Sequence, residues 1–169
     1  MFNRGEDMRR KRALAYVLTA VLLAGCANAR GPTFRPAENI KPEDGVVYVY
    51  REEAFASGAR SAYFYVDGVN VFNLDTGGYS WAALPPGSHK LRLEWAWDML
   101  KKPVEMDISI RAGEAKYVAL KTNTCMVPGN VTCLDVGLRE TSAAIASQEI
   151  RSMAFQENFG LERLKARKP

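Results

Sequence analysis

Imidazole is almost missing from this chain: His89 is the one histidine in 169 residues. A triad or an imidazole general base must be built on that residue or not at all. Cysteine is scarce too, with Cys26, Cys125 and Cys133, too few for a four-thiolate zinc site. Long apolar runs are also lacking. The apolar stretch at residues 13–25 is 13 residues long, whereas a helix crossing a bilayer core of about 30 Å needs about 20. Finally, strong charge of one sign is absent. The first 25 residues hold five of the 23 basic and two of the 19 acidic residues. That leaves 18 against 17, a net charge of +1, over the 144 residues that follow. Nucleic-acid binding normally needs a concentrated basic field, so that class is excluded.

What is present at the start is an address. Arg4, Arg9, Arg10, Lys11 and Arg12 precede the apolar stretch, the order of a secretory signal that is cleaved on export. Leu23-Ala24-Gly25-Cys26 resembles the lipobox of bacterial lipoproteins. The resemblance implies a signal peptide over residues 1–25 and a mature, acylated N-terminus at Cys26. Each buried methylene contributes about 0.8 kcal/mol, so several chains on one residue hold a protein to a membrane without a spanning helix. Ala27, which is not Asp, implies the periplasmic face of the outer membrane by the lipoprotein sorting rule. The alternative is an ordinary signal cleaved near Ala27-Asn28-Ala29, which leaves a soluble periplasmic protein.

With Cys26 assigned to lipid, Cys125 and Cys133 form an even pair in an oxidising compartment, so a disulfide is expected. They flank MVPGNVT, whose Pro128-Gly129-Asn130 is a turn signal that puts the pair at the mouth of a hairpin. Residues 26–44 carry Gly31, Pro32, Pro36 and Pro42 with few apolar residues, a composition that favours a flexible, extended tether.

From residue 45 the character changes to short β-rich runs. VVYVYR (46–51) and AYFYV (62–66) are dense in β-branched and aromatic residues. Asp67-Gly68 joins the latter to VNVFNL (69–74) and signals a two-residue hairpin, because both turn positions need positive φ. YSWAAL (79–84) leads through Pro85-Pro86-Gly87 into SHKLRLEWAW (88–97), and these runs read as a meander. In that last run His89, Leu91, Leu93, Trp95 and Trp97 share one face, and Lys90, Arg92, Glu94 and Asp98 the other. VEMDISI (104–110) likewise turns Val104, Met106, Ile108 and Ile110 inward. AKYVALKT (115–122) and CLDVGLRE (133–140) complete seven or eight strands, hence an all-β, antiparallel β-sandwich over residues 45–140. After Glu140 the period becomes helical. Ala144, Ile145, Gln148 and Met153 recur at helical spacings, Thr141 or Ser142 serves as a cap, Phe155, Phe159, Leu161 and Leu164 extend the pattern, and Gly160 breaks or ends the helix. Residues 141–169 therefore read as a C-terminal helical segment with a basic tail.

Val47-Tyr48-Val49-Tyr50-Arg51, Val66-Asp67-Gly68, Leu74 with Gly78-Tyr79, Leu84-Pro85-Pro86-Gly87-Ser88-His89, and Ala112-Gly113 with Tyr117-Val118 carry a resemblance. From residue 45 to 122 the chain resembles the bacterial lipoprotein domain of unknown function 2846. The turn at residues 84–89 is also similar to those of PEGA and carboxypeptidase-regulatory-like sandwiches. The resemblance implies an all-β fold and a lipidated location, and brings no catalytic residues with it.

Few groups are candidates for chemistry. His89 shares the parity of Leu91 and Leu93, which makes it a strand-end residue at the rim of the core. Ser88 points to the opposite face and cannot pair with it. Glu105 and Asp107 share a strand face about 6.7 Å apart, within the range of paired-carboxylate glycosidases, but solvated strand faces look the same. Gly77-Gly78 lacks the strand-to-helix context of a phosphate loop. Trp81, Trp95 and Trp97 either pack in the core or form a platform for sugar rings. Arg163, Lys165, Arg167 and Lys168 either end the chain in solvent or meet anionic lipid. The expectation is a non-catalytic envelope lipoprotein, without cofactor or metal, that serves as a structural or interaction module. The alternative is a module binding envelope glycan or lipopolysaccharide.

Overall fold

The computed structural model describes residues 28–53, 60–95, 102–127 and 131–166. Its organising element is β1 (Gly45–Arg51), which is buried along its whole length. Alternation sends Val47 and Val49 to one side of the strand and Val46, Tyr48 and Tyr50 to the other. Each side enters a separate apolar cluster. A strand with two covered faces belongs inside a sheet, and β1 is the third of five strands.

The remaining strands are β2 (Ala62–Val66), β3 (Val69–Leu74), β4 (Gly78–Leu84), β5 (Gly87–Trp95), β6 (Val104–Ile110), β7 (Ala115–Val127), β8 (Val131–Thr141) and β9 (Ala154–Phe155). They form a five-stranded sheet in the order β8-β7-β1-β4-β9 and a four-stranded sheet in the order β3-β2-β5-β6. This is the expected all-β sandwich, but two features of the expected antiparallel meander are corrected. The pairings of β1 with β7 and of β4 with β9 are parallel. Pro85-Pro86 also does not close a hairpin, because β4 pairs with β1 in one sheet while β5 pairs with β2 and β6 in the other. Two adjacent prolines cannot donate to a ladder, so the chain leaves one sheet there and enters the other. It crosses again between β1 and β2, β3 and β4, and β6 and β7.

The Asp67-Gly68 turn is as expected, with φ of 49° and 78°, the signature of a type I′ turn. The alternation in β5 and β6 also holds: Leu91, Leu93, Ile108 and Ile110 are buried between the sheets with Phe64, Phe72 and Leu84.

The outer face of the five-stranded sheet has a cover of its own. Residues 28–40, expected to run free as a tether, are extended but docked. Phe34, Ala37 and Ile40 pack against Tyr48, Tyr79 and their neighbours. The Arg35 and Ala37 amides donate to the Tyr79 and Tyr48 hydroxyls, each at 2.9 Å. The strap pairs only through isolated bridges, Asn28 with Thr76 and Thr33 with Ala154, and tyrosine hydroxyls take up the Arg35 and Ala37 amides.

Beside the strap lies helix α1 (Ala143–Glu149), whose cap Ser142 accepts from the Ile145 N–H at 3.4 Å. Its buried face is Ala146 and Ile150, with Met153 beyond; Ile145, one of the residues read at helical spacing, is 50% exposed. The helical pattern also does not run on. The chain leaves α1 at Ile150 and pairs as β9, and a separate helix α2 (Leu161–Ala166) follows. Leu161 and Leu164 of α2 pack into the inter-sheet core, closing the side where β3 and β9 are the sheet edges. Gly160 permits this approach: its N–H donates to the Val71 carbonyl at 2.9 Å, and a Cβ there would collide with the Asn70 carbonyl.

Candidate functional site

His89 is 9% exposed, and its ring nitrogens lie 2.7 Å from Asp67 Oδ2 and 2.8 Å from the Pro85 carbonyl. Asp67 Oδ1 in turn accepts the Lys90 N–H at 2.9 Å. The imidazole is thus a strut between the Asp67-Gly68 turn and the Pro85-Pro86 crossing. Glu105 and Asp107 lie on the open outer face of the four-stranded sheet with Lys90 at 3.6 and 3.4 Å. They flank a lysine and do not line a cleft. Gly77 has φ of 70° and belongs to a turn.

Trp81 is half-buried and packs against both apolar clusters. Trp95 is half-buried against the inter-sheet core, with the Arg51 guanidinium 5.0 Å from its ring centre. These two rings do not assemble into a platform, and Trp97 lies outside the described residues. Of the basic tail, Arg163 donates to the Asn70 carbonyl and Lys165 pairs with Glu162; Arg167 and Lys168 lie outside the described residues, as does Cys26. Cys125 and Cys133 face each other directly in the β7–β8 ladder.

Sequence reasoning missed Arg51, which has the inward parity of Val47 and Val49. It is 1% exposed and donates to the carbonyls of Arg60 and Leu74, at 2.6 and 2.9 Å. Burial brings its pKa down to about 10, against the opposing pull of Asp75, so it enters the core charged.

A second polar cluster joins α1 to the sheet. The Tyr50 hydroxyl donates to Glu149 at 2.5 Å and lies 3.0 Å from Thr141 Oγ1. Lys121 pairs with Glu52 and, at 3.0 Å, with Glu149. Burial and the bond to Glu149 push the Tyr50 hydroxyl well above its ordinary range. Burial pushes the Glu149 carboxyl up, but Tyr50 and Lys121 outweigh it and hold the group below the usual carboxylate range. Glu52, Glu53 and Glu149 border a hollow of about 220 Å³. Every member of this cluster has a partner that fixes α1 in place, which makes it a latch.

The larger cleft, of about 470 Å³, opens between the strap and the segment after β9. Arg30, Asn73, Asp75, Phe155, Gln156 and Phe159 shape it. Asp75 and Gln156 are locked together: the Asp75 N–H donates to Gln156 Oε1 at 2.6 Å, and Gln156 Nε2 donates to Asp75 Oδ2 at 3.1 Å. Ser61 donates to Asp75 Oδ1 at 2.5 Å. The main chain of Gln156 is held as well, by the Tyr79 carbonyl and the Ser80 hydroxyl. Phe159 is 45% exposed, and the Arg163 guanidinium lies 5.8 Å from its ring centre. No periodic signal marks this cleft, because its walls come from three separate parts of the chain.

No curated protein matches the chain. One family pattern does, described as a protein of unknown function (DUF2846), and it spans residues 41–132. The match takes in β1 to β7 and stops at the start of β8, so the strap, α1, β9 and α2 lie outside it. Covering more than half of the sequence, it shows that the chain belongs to the DUF2846 family.

Proposed function

We propose that this protein is a non-catalytic interaction module held at the periplasmic face of the outer membrane by acyl chains on Cys26. The carrying observation is the docking of Asn28 and Ala29 onto the sandwich. Asn28 forms a bridge with Thr76, and the Ala29 N–H donates to the Thr76 carbonyl at 2.9 Å. Cys26 is therefore two residues, at most about 7 Å of chain, from a fixed point on the sandwich. An acylated Cys26 holds the domain close against the bilayer with little slack. The non-catalytic reading is supported by the structural partners of the sole histidine and of the Glu105, Asp107 pair.

A disulfide between Cys125 and Cys133 belongs to the same reading. Residues directly opposed in an antiparallel ladder have Cα atoms about 4.5–5.5 Å apart, inside the range that a disulfide spans.

Metabolic labelling with an alkyne palmitate analogue tests the anchor. Label is expected on the wild-type chain and absent from Cys26→Ala. An unlabelled wild-type chain, or a labelled variant, overturns the proposal.

A further inference from the structure

We propose that the cleft between the strap and the segment after β9 binds an uncharged saccharide. Its volume, about 470 Å³, lies within the roughly 300–1,000 Å³ typical of small-ligand sites. Its composition then selects the ligand. The ionic residues lining it are Arg30, Asp75 and Glu157, and the Arg163 guanidinium lies over the ring of Phe159 at its rim; two cations against two carboxylates give no net charge to draw in a phosphate or carboxylate ligand. Purely apolar ligands are disfavoured as well, because Asp75 and Asn73 would lose water without replacement.

A polyol satisfies both conditions. A carboxylate offers about four lone-pair sites, and Ser61 and Gln156 occupy two on Asp75, leaving acceptor capacity for sugar hydroxyls. Asn73 supplies an amide, its Oδ1 facing Asn70 Nδ2 at 3.4 Å, with its own N–H groups left to donate. Phe159 is 45% exposed with the Arg163 guanidinium over its ring, and its exposed part offers apolar surface to the C–H face of a pyranose. These polar groups are also held before any ligand arrives, since all four polar groups of Gln156 are bonded within the protein. Groups already fixed lose little entropy on binding, which favours recognition of a flexible, well-hydrated ligand.

Ser61, Asn73 and Asp75 of the cleft lie inside the matched residues 41–132, and Arg30, Phe155, Gln156, Glu157 and Phe159 outside. The envelope setting rests on the proposed anchor, but the binding chemistry does not.

The test titrates the full chain, in a detergent without a sugar headgroup, with the tetramer of N-acetylglucosamine and with maltotetraose. Binding is read by saturation transfer from protein to sugar protons, with glycerol 1-phosphate as the anionic headgroup probe. Transfer to at least one tetrasaccharide is expected, with affinity about tenfold weaker in Phe159→Ala and in Asn73→Ala and unfolding midpoints unchanged. Silence from both sugars, binding unaltered in both variants, or preference for glycerol 1-phosphate overturns the proposal. Palmitate labelling and this titration fail independently, so loss of one leaves the other interpretable.

Discussion

The two faces of the five-stranded sheet are built from the same strands and solve different problems. The inner face presents Val47, Val49, Ala82, Leu84, Val118 and Leu120 to the opposing sheet, where packing decides the fit except at Arg51, which donates to the Arg60 and Leu74 carbonyls. The outer face presents Tyr48, Tyr50, Tyr79 and Tyr117 to a strap and a helix. There each ring supplies apolar area, and three of the hydroxyls, those of Tyr48, Tyr50 and Tyr79, bond directly to the cover. Tyr48 and Tyr117, register partners in the parallel pair, stack with ring centres 5.1 Å apart. The contrast teaches that a regular partner needs mainly shape, whereas an irregular one brings backbone amides that must be met. Tyrosine does both.

Substitutions can separate the two faces. The largest effect is expected within the sandwich: Leu84→Ala, at a fully buried site, should cost about 2–5 kcal/mol in denaturant unfolding. Removing the proposed cross-link at Cys125 with Cys125→Ser should cost about 2.5 kcal/mol, and only without reductant; an equal loss in reducing buffer would show that the thiols contribute by packing. Gly160→Ala should cost about 1–3 kcal/mol and raise proteolytic cleavage near α2, because the added carbon meets the Asn70 carbonyl. On the outer face, Tyr48→Phe keeps the ring and deletes one hydrogen bond. The expected loss is about 0.5–1.5 kcal/mol, with amide exchange of Ala37 accelerated and that of Val118 unchanged.

The smallest effect concerns pH. Because the Glu149 carboxyl is held below its ordinary value of 4.5 in the fold, its contribution is present at neutral pH. It is lost as pH falls below 4.5 and through the depressed value. Glu149→Gln should therefore lower the unfolding midpoint at neutral pH and flatten its acid slope.

Much of the inner layer was legible beforehand. Strict alternation in residues 89–95 and 104–110 reports a half-buried sheet, and Asp67-Gly68 reports its turn by backbone sterics alone. The outer layer was harder to read for physical reasons. A strap rich in proline looks like a linker because nothing in its composition records that Tyr48 and Tyr79 wait opposite Ala37 and Arg35. In α1, Ile145 is the more apolar residue, yet Ala146 faces inward, because Glu149 must reach Tyr50 and Lys121 and this sets the rotation of the helix. The Pro85-Pro86 crossing was misread because a proline turn breaks a ladder in either geometry. The cleft was not legible at all: Ser61, Asp75 and Gln156 meet only once strands from both sheets and the last third of the chain are in place.

One closure has a consequence for how the molecule is made. The Phe155 N–H donates to the Pro32 carbonyl at 2.8 Å, and Thr33 bridges Ala154, so residues some 120 positions apart zip together. A chain made from its N-terminal end cannot close this seam until residue 155 has been added. Assembly is thus obliged to finish where it began, with the first described segment sealed by nearly the last.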